Sequence, residues 1–444
     1  MERLPHRSDL TIWRDYIKMM TSKMLIEKNR LIELLYYEDK RVRDTGVETL
    51  QRFFSGSKGV IEYLLQSIET YENQCLSLAA GVRSFIPGDT DIGRIIKLIN
   101  DCKFKTDEYS LNLQFHLQIS LMHFPIDILE RNKQLFRFNE DLTRFFEVIK
   151  NHERIRSQEP DVLLNELEKL CDEHQGKRIE KEIYKYGRLL FNGLKRHSKA
   201  IKHKVIMFLS HETKEKYHFE EYMVELAGEL KLEETIPYLF RIYKDSDFMH
   251  TVNSKCIHAL GKIGTREVVS GVDNLYNNSD DEKRSGLAEI FKYIPYDYSE
   301  EVAIRLLKEE VDLSNKTFLA GALCDLFSLR ATDLIIEIIN KKEYDPSIMV
   351  LSDYLRPIYV YHQKKFEGFQ DIEQRDKNHF QETMESSPFY TLGKKLREIL
   401  DFSVAEKEKL DSTKSNTNAH KKNVIPYKGV QPKSRIRKKK KKKK

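Results

Sequence analysis

The sequence predicts an all-α chain built as an α-solenoid, a superhelix of stacked helix pairs, on three observations. An apolar pattern recurs with a period of about 32 residues, a range typical of repeats that bury their apolar faces only against neighbours. Gly and Pro are sparse, 18 and 11 in 444 residues, while Leu, Ile, Glu and Lys are abundant, which favours helices over strands. The breaks between apolar runs carry residues that cap helices.

Residues 1–125 read as N-terminal helical repeats. Leu31, Leu34 and Leu35 are followed by Ile61, Leu64 and Leu65, then by Ile92, Ile95 and Ile96, at intervals of 30 and 31 residues. Val47, Leu50 and Phe53 are answered 32 residues later by Ala79, Val82 and Phe85. Each triplet has the three-or-four spacing of one helix face. Pro87-Gly88-Asp89-Thr90-Asp91 ends one helix and caps the next. Residues 126–219 read as helices of uneven length, with a charged break at Arg156-Ser157-Gln158-Glu159-Pro160.

The repeat is clearest over 220–350. Leu226, Ala227, Gly228, Leu230, Ile236, Leu239, Ile242 and Tyr243 recur 33 positions later as Ala259, Leu260, Gly261, Ile263, Val269, Val272, Leu275 and Tyr276. Leu287, Ala288, Phe291, Ile294, Val302, Ala303, Leu306 and Leu307 recur after 32 as Leu319, Ala320, Leu323, Leu326, Leu334, Ile335, Ile338 and Ile339. Asp245-Ser246-Asp247, Asn277-Asn278-Ser279-Asp280 and Asp312-Leu313-Ser314-Asn315 are expected to supply N-caps. Gly264 stands where a C-cap glycine would. Residues 351–411, including Leu392 to Leu400, continue helical without the repeat and are expected to cap the array, as Trp13 is at its other end. Residues 412–444 have the composition of a disordered tail.

Ala259-Leu260-Gly261-Lys262-Ile263-Gly264-Thr265-Arg266-Glu267-Val268-Val269 resembles the core of a HEAT-type repeat, in the short form called the phycobilisome-lyase HEAT-like repeat. In that form the first helix carries the Ala-Leu-Gly-x-Ile-Gly run and the second begins near Glu-Val-Val. Leu226-Ala227-Gly228-Glu229-Leu230 keeps the first glycine, with Leu232 in place of the second; residues 287–294 and 319–326 keep the apolar pattern alone. The small residues are expected to let the two helices of a pair approach closely. The resemblance implies a scaffold or adaptor, although bilin lyases, metal-dependent lysine hydroxylases and DNA glycosylases also use such repeats. Fold alone does not choose among these activities.

No phosphate-binding glycine loop, nucleophile elbow or H-E-x-x-H metal motif occurs. A di-iron hydroxylase of this type would need paired His-Glu dyads in its repeats, and only His152-Glu153 and His211-Glu212 exist, outside the clear ones. His197, His203, His211 and His218 lie 6, 8 and 7 apart rather than at helical ligand spacing, so they read as solvated or interfacial. Asp89/Asp91 and Asp245/Asp247 read as helix caps, and neither metal nor cofactor is expected. Cys75, Cys102, Cys171, Cys256 and Cys324 are far apart, mostly on apolar stripes, as buried hydrophobes of a reducing compartment would be. No run approaches 18 apolar residues, and the N-terminus lacks the core of a signal peptide. A soluble, cytoplasmic protein is expected, or a nuclear one if a eukaryotic cell reads the lysine run as an import signal.

The net charge of +6 conceals an asymmetry. Residues 412–444 hold 14 of the 76 basic residues and no acid, which leaves 62 bases against 70 acids in the remainder. The tail's candidate polyanion-binding residues are Arg435, Arg437, Lys438, Lys439, Lys440, Lys441, Lys442, Lys443 and Lys444. A flexible polycation binds polyanions by counterion release, with steep salt dependence. A second basic stretch, 174–216, holds 12 Lys and Arg against 4 Glu. In it Lys181, Lys185, Arg188, Lys195, Lys199 and Lys202 lie at intervals of 4, 3, 7, 4 and 3, so one continuous helix would align them in a stripe about 30 Å long. Gly187 and Gly193 are where such a helix would break.

The function expected is a non-enzymatic scaffold that holds a protein partner, with the tail attracting nucleic acid or another polyanion. The alternative is a HEAT-repeat protein that grips nucleic acid through the 174–216 ridge. An enzyme of the lyase or glycosylase class comes third.

Overall fold

The computed structural model describes residues 23–71, 74–138, 140–175, 180–211, 217–247 and 250–386. Trp13, the 392–400 stretch and the basic tail lie outside the described residues. Twenty-one α-helices carry the described order, with a few three-ten turns and no strand. No described helix is long and apolar enough to cross a membrane.

The first seven helices are α1 (Lys28–Leu34), α2 (Lys40–Phe54), α3 (Ile61–Thr70), α4 (Leu76–Val82), α5 (Asp89–Cys102), α6 (Glu108–His123) and α7 (Ile126–Arg131). The middle supplies α8 (Glu140–Arg156), α9 (Pro160–Glu173), α10 (Lys181–Leu194) and α11 (Ser198–Ser210). Then come α12 (Tyr217–Glu229), α13 (Ile236–Asp245), α14 (Thr251–Ile263), α15 (Arg266–Tyr276), α16 (Asp281–Ile290), α17 (Asp297–Glu309), α18 (Leu313–Asp325) and α19 (Thr332–Lys341). The last are α20 (Leu351–Tyr361) and α21 (Phe369–Ser386). Residues through Phe380 form one compact unit; of a second, beginning at Gln381, only 381–386 are described.

Within the first unit the even-numbered helices pack on one another in chain order. Contacts run α2–α4–α6, α8–α10, and α12–α14–α16–α18–α20. Side chains join the remaining steps: Arg156 of α8 reaches the Met122 carbonyl of α6, and Phe191 of α10 lies against Tyr222 of α12. The series also returns to its start, because α20 packs on α2. At that seam residues 23–25 pair with 295–297, and the Glu27 N–H donates to the Tyr361 hydroxyl at 2.7 Å. One apolar core runs from Ile26 to Ile372.

The repeated positions are the buried ones: Leu226, Ala227, Leu239 and Tyr243 are sealed, as are Ala259, Leu260, Val272 and Tyr276. The close approach they permit lies between successive pairs, not within one as the sequence suggested. A Cβ on Gly228 would stand 2.5 Å from the Ala259 Cα, and one on Gly261 would stand 2.6 Å from the Tyr293 side chain. Gly264 caps α14 at φ 64°, in the left-handed region where glycine is unstrained.

Asp280 accepts from the Lys283 N–H and Asp312 from the Asn315 N–H, as expected of N-caps. Asp91 reaches back to the Gly88 N–H at 2.7 Å. Asp245-Ser246-Asp247 does not cap α14: His250 does, its ring accepting from the Val252 N–H. Ser246 closes α13, and Asp247 contributes its carbonyl to the Asn253 amide.

Candidate functional site

The basic ridge is two helices and not one. A three-ten turn at Lys195–His197 separates α10 from α11, so the stripe expected of a continuous helix is divided there. The two glycines do not cause the break. Gly187 stays helical because Tyr222 packs on it, and Gly193 because the backbone of Arg156 lies against it, 3.1 Å from where a Cβ would stand.

Most of the ridge is paired with acid. Lys185 meets Glu182 at 2.7 Å and Lys202 meets Glu234 at 2.7 Å. Arg188 meets Glu225 at 2.7 Å while lying over the Phe191 ring, and Lys195 meets Glu229 at 3.0 Å. Lys181 and Lys199 are exposed on different helices, with no ion pair among the described residues. Arg435, Arg437 and Lys438 to Lys444 lie outside those residues.

Glu225 and Glu229 are one turn apart on α12, and each also holds a cation of α14. Lys255 meets Glu225 at 2.8 Å, and Lys262 pairs with Glu229. A ladder of basic, acidic and basic rungs thus crosses α10, α12 and α14. Burial alone would raise both carboxyls, but Lys255 and Arg188 at Glu225, and Lys195 and Lys262 at Glu229, hold them below the ordinary range. The partners stand 30 to 37 positions apart, about one repeat, so opposite charges one period apart were the available signal.

A second register appears at the C-terminal ends of the even helices. Arg52 of α2, Arg83 at the C-cap of α4, His123 of α6, Arg156 of α8, Lys195 at the C-cap of α10 and Lys262 of α14 occupy corresponding places. Cations there complement the negative end of the helix dipole, by about 0.3–1 kcal/mol each when exposed. Acids interrupt the series at Glu229, between Lys195 and Lys262, and at Asp325 of α18, 3.4 Å from Arg52.

Between α4 and α10 the cations lack such partners. Arg156 is only 9% exposed, yet among the described residues no carboxylate forms an ion pair with it. Its Nη1 donates to the Met122 carbonyl at 3.4 Å, and its buried Nε has no partner. Glu153, one turn earlier, is committed to Arg196 at 2.5 and 3.0 Å. Arg43, fully buried on α2, donates instead at 2.7 Å to the carbonyls of Tyr37 and Glu38 and at 3.0 Å to Gln74. A buried charge without a counter-charge costs several kcal/mol. The His123 ring is exposed at its surface; desolvation by its surroundings, then Arg156, Arg83 and Lys195, push its pKa down to about 4.

Among the described residues, two further concave spaces hold no convergent catalytic set. A cleft of about 240 Å³ is floored by Ile68, Leu98 and Leu113 and rimmed by Glu69, Lys97 and Lys105. Another, of about 470 Å³, lies at the seam among Tyr37, Tyr359, Phe366, Lys364 and Lys365. All five cysteines are buried and free, and burial pushes the thiols of Cys256 and Cys324 far up. Among the described residues no group of three or more His, Cys, Asp or Glu side chains is placed to hold a metal ion. His203 is exposed and His197 and His218 are half-buried; the His211 ring is bonded to the Met207 carbonyl at 2.6 Å.

No family model matches the chain, and no curated protein is similar to it. Among solved structures, an engineered protein matches at 14% identity over 80% of this chain and 99% of its own, with a TM-score of 0.26, too loose a likeness to carry an argument.

Proposed function

We propose that the chain is a non-enzymatic scaffold, an α-solenoid of HEAT-like helix pairs that holds a protein partner. The observation that carries this reading is the charge ladder on α10, α12 and α14. A surface of alternating sign complements another protein surface of alternating sign and fixes its register. It does not make a continuous positive track for a phosphate backbone, because the half-buried cations Arg188 and Lys195 are already neutralised by Glu225 and Glu229. The tail adds non-specific attraction to a polyanion, and such a tether raises the local concentration of the specific surface. Exposed Lys181 and Lys199 are what the nucleic-acid reading retains. A cytoplasmic location suits the scaffold, or a nuclear one where the lysine run acts as an import signal.

The test is nucleic-acid binding against salt, for the full chain and for a version ending at Asp411. The full chain is expected to bind with a steep negative slope of log affinity on log salt, and the truncated one to lose that binding. Binding that survives truncation, with a slope reduced when Lys195, Lys199 and Lys202 are neutralised, would overturn the scaffold reading.

A further inference from the structure

Arg83, His123, Arg156 and Lys195 end four successive even-numbered helices, and the charges of Arg156, Arg83 and Lys195 act on His123. Arg156 lies deepest. Gly193 pins α10 against its backbone, and the long bond to the Met122 carbonyl ties it to the end of α6 beside His123. Its Nε has no partner, and neither it nor Arg83 has a carboxylate partner among the described residues. We propose that this corner binds an oxyanion, the carboxylate or phosphate of an acidic peptide segment of the partner, with Arg156 as the anchor. The proposal rests on the scaffold reading and names the chemistry of the group the scaffold holds.

An oxyanion supplies what the corner lacks. It accepts from the guanidinium in the planar geometry arginine favours, and it offsets the charge that burial makes costly. His123, neutral when the site is empty, donates one ring N–H to the anion and gains a proton as the negative charge raises its pKa. Arg83 extends the positive field along one side, and desolvation followed by the Arg83 charge holds His116, two turns before His123 on α6, toward its neutral form. At the flanks Arg196, Lys195 and Lys262 are already committed to Glu153 and Glu229, so the uncommitted positive charge of the corner suits a single anionic group.

The experiment uses the full chain and four probes: a short phosphoserine peptide, its glutamate counterpart, inorganic phosphate and an oligouridylate of equal charge. Binding is measured for the native protein and for Arg156→Met and Arg83→Gln, together with each variant's Tm and the titration of His123 by NMR. Arg156→Met is expected to weaken the preferred peptide by roughly tenfold or more, with Tm unchanged or raised because a buried charge has gone. Arg83→Gln is expected to weaken it by about threefold. The His123 midpoint is expected to rise from about 4 when peptide binds. The two peptides and inorganic phosphate identify the oxyanion as phosphate or carboxylate.

Three outcomes overturn the proposal. Peptide binding that ignores both variants does so, as does an Arg156→Met variant that loses several degrees of Tm while His123 titrates as before, which makes Arg156 a cap on α6 alone. Tighter, Arg156-dependent binding of the oligouridylate makes the partner a nucleic acid. Failure of the scaffold reading looks different, since it appears as oligonucleotide binding that is indifferent to Arg156 and sensitive to Lys195, Lys199 and Lys202.

Discussion

Gly228 and Ala259 meet where α12 lies against α14, and the missing methyl group sets how closely the two helices stack. A Cβ at Gly228 would be 2.5 Å from the Ala259 Cα and 3.2 Å from its carbonyl oxygen, neither of which can swing aside as a side chain would. Gly228→Val is therefore expected to cost about 1–3 kcal/mol, read as a lower urea midpoint with an unchanged m-value. Stability within a few tenths of the native value would mean that the two helices can part without penalty. The sequence made Gly228 and Gly261 conspicuous as a small-residue repeat, but it could not tell contact within a pair from contact between pairs. The same holds for Glu225 and Glu229. Their spacing marked them as one turn apart on a helix, and only the stacking of α10, α12 and α14 makes them the shared acids of two rungs.

Individual helices were legible where apolar periodicity and a cap coincided, as in α14 with Gly264 and α18 with Asp312. The break at Lys195–His197 was not, because no proline or C-cap glycine marks it, and the glycines nearby serve packing and remain helical. Nor was the tie between α20 and α21. The Ser352 N–H, in the first turn of α20, donates at 2.6 Å to Asp376 of α21, so the cap comes from a helix 24 residues away. Asp376 is wholly buried and its other carboxyl oxygen has no partner; burial, opposed by the Ser352 bond, pushes its pKa up to about 6. Because the folded value exceeds the unfolded one, the folded state holds the extra proton between them. Stability is then lost as pH rises from about 4 to about 6, by on the order of 2–3 kcal/mol from this group. Asp376→Asn keeps an oxygen for the Ser352 N–H and removes the titration. The variant is expected to show a flatter Tm over that pH interval than the native chain; an unchanged slope would assign the pH dependence elsewhere.

At the scale of the whole unit, nothing in a repeat pattern says whether its first and last members meet. A solenoid read from sequence has two free ends, whereas here α20 packs on α2 and the even-numbered series closes. Beside the apolar core, charged and half-buried residues that lie far apart in the chain help to close it. Arg356 of α20 meets Asp39 at 2.8 Å and Glu373 at 3.0 Å, and Arg41 of α2 meets Glu373 at 3.2 Å and pairs with Asp353. Such pairs leave no signature in periodicity, since a salt bridge across about 317 positions obeys no helical spacing. Their placement makes the seam a joint that salt can weaken. Buried Leu351, Leu355, Ile358 and Tyr361 of α20 and Val42, Val47 and Leu50 of α2 belong to the common core, and to these the seam adds ion pairs that salt screens and the short antiparallel contact of 23–25 with 295–297. Arg356→Gln removes two of those pairs at once and leaves Asp39 and Glu373 less well compensated. Hydrogen exchange in this variant is expected to quicken first over α1, α2 and α20, and more so at high salt, while α12 to α18 keep native protection. Uniform quickening across all the even helices would mean that the seam and the stack open as one cooperative unit.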